Sequence, residues 1–582
     1  MAHAPNLEAR PASPEPTPAD LFTPKIVTVF REGYGLRELR ADAIAGLTVA
    51  IVALPLSLAI AIASGASPER GLYTAIVGGF LISALGGSRF QIGGPAGAFI
   101  VLVAAIIERQ GIDGFLLAVF LAGIMLVAAG ALRLGTYIKF IPFPVTVGFT
   151  AGIAVIIATS QLKDLFGLTL AGEEPGPFVP KLQALAGAIG SINPSAVVIA
   201  VAVIAIIMVL RHLRPRWPNM LIAVVVAAVA SWAFDLPVET ITSRFGGIPD
   251  TLPLPALPDL SPARIVSVLP DAFSIALLGA IESLLSAVVA DGMTGRRHRS
   301  NCELVAQGAA NMGAALFGGL SATGTIARTA TNVRSGAIGP ISGIFHSAFV
   351  LSFIVFAAPL AGYIPLCALA AILITVAWTM AEKHEFAILL RSSRGDAVVL
   401  LATFLLTVFY NLTVGILVGF GIGVLLFLSR MAQAIEVQTL PLVPEDQADK
   451  AGGRPRYDAA LASDPDLVVY RISGAFFFGA ASQVGAVLDR VADASKTLIL
   501  DLSAVPFLDS TGASTIDGFA RKAQKAGTKL IITGTTPALR RVLKAHHVRP
   551  PRVYFRPTIE DAITAVRKSR ADGSALETGG TV

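Results

Sequence analysis

The sequence predicts a polytopic α-helical membrane protein of about 14 spans, arranged as a seven-plus-seven inverted repeat and followed by a C-terminal α/β domain. Three observations carry this prediction. The 582-residue chain is 54% hydrophobic and only 14% charged, with a mean hydropathy of +0.71, whereas soluble domains carry about 25% charged residues. The charge deficit is concentrated between Asp42 and Arg430. Two hydrophobic segments are broken by Gly, Pro or Thr, and they fall at similar positions in the two halves of that region.

The residues before the first span are read as a cytoplasmic segment, 1–41. Met1 to Asp20 is rich in Pro and Ala, lacks a basic stretch followed by an apolar run, and is expected to be disordered. Lys25, Arg31, Arg37 and Arg40 follow and argue for a cytoplasmic N-terminus.

The first repeat, 42–234, is expected to hold spans at Asp42–Ser64, Arg70–Leu85, Pro95–Ile107, Gly114–Leu132, Pro144–Thr159, Pro194–Leu210 and Pro218–Phe234. An extracytoplasmic connection occupies 235–269. The second repeat, 270–430, is expected to hold Pro270–Ala290, Cys302–Phe317, Ile326–Gly336, Ile341–Leu360, Pro365–Met380, Asp396–Tyr410 and Val414–Leu428. Loop charge tests this count. Even-numbered spans end near Arg133 and Lys139, at Arg211, Arg214 and Arg216, at Arg296–Arg299, and at Lys383, Arg391 and Arg394. The opposite loops carry Glu173 and Glu174, then Asp235, Glu239, Asp250 and Asp259 against Arg244 and Arg264. This alternation places both termini in the cytoplasm. Seven spans per repeat, an odd number, invert the second copy relative to the first.

A linker is expected at 431–456, then an α/β domain at 457–570 and a disordered tail at 571–582. Leu467–Ile472, Thr497–Leu502 and Lys529–Thr533 read as strands. Amphipathic helices are expected at Ala480–Ala494, Ser510–Ala526 and Pro537–His546.

The broken segments are the pointer to function. The first reads Phe90-Gln-Ile-Gly-Gly-Pro-Ala-Gly-Ala-Phe99; the second runs from Gly318 to Asn332. Irregular backbone at membrane depth must be buried in protein or line a cavity. Interrupted spans at matching positions in two repeats mark a transporter substrate site. A half-helix starting at Ala96-Gly97-Ala98 and another at Ile326-Ala327-Arg328 would each offer free N–H groups and a positive dipole end to an anion. Small residues there let a ligand approach the backbone, although Gly and Ala also serve simple helix packing.

Glu282 sits mid-span in Ile275-Ala-Leu-Leu-Gly-Ala-Ile-Glu-Ser-Leu-Leu-Ser286. A carboxylate at that depth must be protonated, paired or facing water. It is the candidate proton carrier, with a structural carboxylate as the alternative. His346, alone on an apolar helix, is read as a hydrogen-bonded packing residue. Cys302 and Cys367 offer neither a disulfide framework nor zinc spacing. There is no metal-ligand cluster, phosphate-binding Gly-Lys loop or nucleophile elbow, so an enzyme is not expected, nor a cofactor or metal. The net charge of +6 lies largely in loops between spans and needs no nucleic acid to explain it.

These residues resemble the sulfate permease (SulP) family, also called solute carrier family 26, over nearly the whole chain after about Leu36. The stretches that carry the resemblance are Ala53-Leu-Pro-Leu-Ser57, Gly71-Leu-Tyr73, Gly93-Gly-Pro-Ala-Gly97, Glu282-Ser-Leu-Leu285 and Gln307-Gly-Ala-Ala-Asn311, with a STAS-like Asp509-Ser-Thr-Gly512 loop in the C-terminal domain. The resemblance implies a core and a gate domain, with the anion between the facing ends of the third and tenth spans. It implies pocket-wall roles for Leu56, Ile60 and Ala96, and a hydroxyl contact missing at Ala327, which is Ser in some animal members. It also implies that Arg328 supplies positive charge, with a salt bridge or snorkelling as the alternative. Glu282 would lie beside the anion.

The sodium-driven bicarbonate branch has Asp at the Glu282 position and Thr at the Ser286 and Ala96 positions. Loss of those oxygens argues for protons over sodium, since hard cations need several oxygen ligands. Local sequence looks closest to bacterial members that take up C4-dicarboxylates. The expected function is therefore a proton-coupled anion transporter of the sulfate or C4-dicarboxylate class in a bacterial inner membrane, and a homodimer as the family implies. An anion channel and a sodium-coupled bicarbonate transporter are the alternatives. Ser510 matches a position phosphorylated in soluble STAS proteins, and it also fits a plain helix cap. The same domain is expected to serve either dimer contact or docking of a cytoplasmic partner, and the sequence does not choose between them.

Overall fold

The computed structural model describes residues 21–138, 142–172, 174–214, 217–439, 467–477, 481, 484 and 497–571. The chain divides into two compact units, Met1–Gly421 and Ile422–Val582. Met1 to Asp20, Lys139, Glu173, Arg216, most of the expected linker, most of the expected helix Ala480–Ala494 and nearly all of the expected tail lie outside the described residues.

All fourteen expected spans are helical, and the last, in the helix Leu412–Gln433, continues past Gly421. Among the described residues eight helices are long and apolar enough to cross a membrane by length and composition. The first span, Leu36–Ala63, starts before Asp42, and the eighth, Pro262–Thr294, extends beyond both expected ends. Only a break at Gly111 (φ 69°) separates the third and fourth spans, which otherwise run from Ile100 to Ala131. The second span carries a π turn at Thr74–Gly78. Among the amphipathic or short helices that were not expected are Lys25–Glu32, Phe178–Gly187 and Lys383–Ser392. Each is too short or too charged to satisfy the length and hydropathy that mark a span.

The two broken segments meet. Gly93–Gly94 (β1) pairs antiparallel with Thr323–Gly324 (β2), in register Gly93 with Gly324 and Gly94 with Thr323. Antiparallel pairing of equivalent strands is what inversion of one half against the other produces. Lipid offers no partner for the remaining backbone groups, so side chains supply them. Glu303, Gln307 and Asn311 recur every fourth residue along the ninth span and share one face. The Glu303 carboxylate accepts the N–H groups of Gly87 and Ser88 at 2.8 and 3.0 Å, and Gln307 donates to it at 2.8 Å. Asn311 donates to Ala322 O at 2.7 Å and accepts Ala322 N–H at 3.0 Å. Thr74, in the π turn, accepts Leu320 N–H at 2.6 Å. These fully buried polar side chains are thus matched to irregular chain, which is what keeps such chain at depth.

The second unit contains a five-stranded sheet in the order Glu436–Thr439 (β3), Leu467–Ser473 (β4), Thr497–Ala504 (β5), Lys529–Thr533 (β6) and Val553–Phe555 (β7). The β3–β4 pair is antiparallel and the others are parallel. Side chains alternate between faces. Leu498, Leu500 and Ile532 pack with helices Ser510–Lys525 and Pro537–Ala545; Ile499 and Ile531 pack with helix Ile559–Ala571. The three expected strands are present. β3 corrects the reading of 431–456 as linker throughout: it is a short, polar strand at the sheet edge, without the apolar run that marks a buried strand.

Candidate functional site

The third span begins with a tight turn at Gly97–Phe99, and the tenth is the helix Ile326–Arg334. The residues preceding them, Ala96 and Thr325, are extended and make no side-chain cap bond. The first N–H groups of such helices have no intrahelical acceptor. Two uncapped helix starts therefore flank the β1–β2 pair.

Arg328 is 1% exposed. One guanidinium nitrogen, Nη2, donates to Ser57 Oγ at 3.1 Å and to Pro95 O at 3.2 Å. Among the described residues Nε and Nη1 have no hydrogen-bond partner, nor has the buried hydroxyl of Thr325. Among the described residues no carboxylate pairs with Arg328, and its burial rules out snorkelling. Gly94 is required by this arrangement: a Cβ there would lie 2.0 Å from Nη1, and φ is +154°. Gly324 is likewise required, because a Cβ would fall 1.4 Å from Gln91 Nε2. Gly93 instead serves packing, with Ile82 Cδ1 2.4 Å from its Cβ position.

The eighth span is fastened to both broken segments. Gln91 donates to Ser283 O at 3.0 Å, and Ser286 Oγ donates to Thr329 Oγ1 at 3.1 Å. Glu282, directly before the first of these anchors, is half-buried, with no side-chain hydrogen bond or ion pair among the described residues. Leu56, Ile60, Ala96 and Ala98 are buried in one apolar cluster. Gly97 faces Met380 Sδ at 3.6 Å and Ile157 Cδ1 at 3.7 Å from its Cβ position. Ala327 is exposed, unlike its neighbour Arg328.

Several polar residues at this site were not singled out as site residues from sequence. Thr325, Thr329 and Asn332 share one helix face with Arg328, and that periodicity was the available signal. Asn332 donates to Phe90 O at 2.9 Å and to Ser342 Oγ at 2.8 Å. Ser57 and Gln91 are isolated polar residues whose partners are distant in sequence. His346 corrects the reading of a hydrogen-bonded packing residue: it is fully buried, but neither ring nitrogen has a partner among the described residues. It packs where the eleventh span crosses the first, with its backbone N 3.0 Å from the Cβ position of Gly46.

In the second unit Asp509 caps the helix Ser510–Lys525 by accepting Gly512 N–H at 2.8 Å. The cap therefore belongs to Asp509, and Ser510 stands exposed at the first helical position. Asp501 is held differently. Burial raises its carboxyl pKa, but hydrogen bonds from Ser503, Arg471 and Thr533 outweigh this and hold it below the usual carboxylate range.

Residues 39–403 match the model of the Sulfate permease family, and residues 458–562 that of the STAS domain. YvdB of Bacillus subtilis (strain 168), whose name assigns it provisionally to sulfate transport, is 40% identical over 86% of this chain and 93% of its own. The bicarbonate transporter BicA of Picosynechococcus sp. is 30% identical over 87% of this chain and 91% of its own. The solved transmembrane domain of a cyanobacterial BicA superposes with a TM-score of 0.59 at 32% identity, covering 67% of this chain and 98% of that one. Murine Slc26a9 in its inward-facing state shares the fold, with a TM-score of 0.82 at 18% identity over 97% of each chain. With its family match, its similarity to BicA and its eight apolar helices, the chain is a multi-pass membrane protein that belongs to the sulfate permease family and carries a C-terminal STAS domain.

Proposed function

We propose that this protein is a proton-coupled secondary active anion transporter of the sulfate or C4-dicarboxylate class, working by alternating access. The observation that carries this reading is the Arg328 guanidinium, buried with two unpaired nitrogens beside two uncapped helix starts. An uncompensated buried charge costs several kcal/mol. An anion seated between the third and tenth spans offsets that cost and accepts the free N–H groups as well. Leu56, Ile60, Ala96, Gly97, Ala98 and Ala327 form its apolar and backbone walls. Glu282, unpaired on a span fastened to both half-helices, carries the coupled proton. Family membership and the relatives named for sulfate support an anion as cargo. Both termini are assigned to the cytoplasm of a bacterial inner-membrane protein, as a homodimer. The STAS domain offers a surface for a cytoplasmic partner, with Ser510 as a candidate phosphorylation position.

Bicarbonate is the second reading, favoured by the 30% identity to BicA. Uptake of labelled sulfate, succinate and bicarbonate into proteoliposomes separates the two. Saturable uptake of sulfate or succinate that grows with an inward proton gradient is expected. Uptake of bicarbonate alone, driven by sodium, would replace this reading, and non-saturating flux indifferent to the gradient would indicate a channel.

A further inference from the structure

An open surface cavity of about 450 Å³ lies where the sixth span, Pro194–Leu213, ends beside the end of the twelfth, Leu366–Met380. It is remote in sequence from both broken segments. Its lining includes Arg211, Trp378, Glu382, Lys383, His384 and Glu385. Charges of both signs face one space without neutralising each other. Arg211 makes no side-chain hydrogen bond or ion pair among the described residues, and neither Glu382 nor Glu385 is paired with a cation. Lys383 is engaged locally: its Nζ lies 3.3 Å from the centroid of the Trp378 ring and donates to Trp378 O at 3.1 Å. Trp378 is 64% exposed at the end of an apolar span. Indole side chains favour the headgroup level of a bilayer at such positions.

An anion alone would satisfy Arg211 but meet two carboxylates; a cation alone would meet Arg211 and Lys383. A ligand carrying phosphate and ammonium a few bonds apart matches both. We propose that this cavity binds the zwitterionic headgroup of a phosphatidylethanolamine-type lipid, with the phosphate on Arg211 and the ammonium against Glu382 and Glu385. The ammonium donates hydrogen bonds to carboxylates, which a quaternary choline group does not. The ethanolamine headgroup is therefore preferred over choline, and over anionic glycerol.

Native mass spectrometry of the full-length protein in detergent, titrated with phosphatidylethanolamine, phosphatidylcholine or phosphatidylglycerol of identical chains, tests this. Phosphatidylethanolamine is expected to bind about tenfold more tightly than the other two. Arg211→Ala and the double variant Glu382→Gln/Glu385→Gln are each expected to erase that preference, and Arg211→Lys to retain most of it. Each variant is compared only after its melting temperature in lipid-free detergent matches the wild type. Equal binding of all three lipids would overturn the proposal. So would tight phosphatidylglycerol binding that depends on Arg211 but not on the carboxylates, which would mark an anionic-lipid site. Displacement of the lipid by equimolar soluble phosphoethanolamine would reassign the same chemistry to a water-soluble ligand and overturn the lipid assignment.

Discussion

Arg328, on the tenth span, donates to the carbonyl of Pro95 at 3.2 Å, and Pro95 lies just before the start of the third span. This bond joins the two halves of the membrane unit at the point where each is broken. The same nitrogen bonds Ser57 Oγ at 3.1 Å, so the first span also fixes the guanidinium. Ser57→Ala leaves the charge in place but loosens its orientation. Losing a hydrogen bond to a charged group costs about 1.5–3 kcal/mol. A rise in KM of about tenfold or more, with unchanged expression, is expected in proteoliposome uptake.

Gly94→Ala places a methyl 2.0 Å from Arg328 Nη1 at a φ of +154°. L side chains rarely adopt that φ, and the guanidinium must turn away from the position in which it would meet the anion. The expected outcome is loss of anion uptake from a protein that still reaches the membrane, read by surface-corrected transport. Gly93→Ala meets Ile82 instead, so its expected defect is in thermal stability.

Glu282→Gln removes the ionisable group while keeping size and polarity. Uptake is expected to lose its response to an inward proton gradient and to retain exchange of anion against anion. Parallel assays with and without the gradient check this; full gradient-driven uptake in the variant would refute the proton role.

Asn311→Leu strands the N–H and C=O of Ala322 in a fully buried position. At about 1–3 kcal/mol for each unsatisfied group, the membrane unit is expected to lose about 2–6 kcal/mol. A lowered melting temperature in detergent measures it, and an unchanged one would mean that the strand relaxes to new partners.

Asp501 is held below its ordinary carboxylate pKa in the folded STAS domain. A group depressed in the folded state adds stability above its unfolded pKa, about 3.9 for Asp. That contribution is lost as pH falls through the folded value. Wild-type STAS unfolding, followed in the full chain, is expected to lose stability across and below about pH 4. Asp501→Asn is expected to be less stable at pH 7 and to show a flatter acid limb.

Much of the fold was legible because the membrane imposes it. Long apolar runs and basic loops are strong signals, and all fourteen expected spans are helices. The helix Lys383–Ser392 was not legible because it is short and carries charge at both ends, and the strand β3 because it is short, polar and formed by pairing with β4. At the site, the two breaks and Arg328 stood out against an apolar background. The roles of Ser57, Gln91 and Asn332 did not, because their partners Arg328, Ser283, Phe90 and Ser342 lie 10 to 271 residues away. His346 was misread because burial without a partner leaves no mark in sequence.

The most direct measurement is equilibrium binding of the transported anion to purified protein, wild type against Arg328→Ala and Arg328→Lys, each checked for monodispersity and melting temperature. If the unpaired guanidinium is the anion's counter-charge, Arg328→Ala loses affinity by about 100-fold or more, and Arg328→Lys retains part of it. Wild-type affinity in a well-folded Arg328→Ala protein would contradict this and return Arg328 to a structural role in joining the two halves.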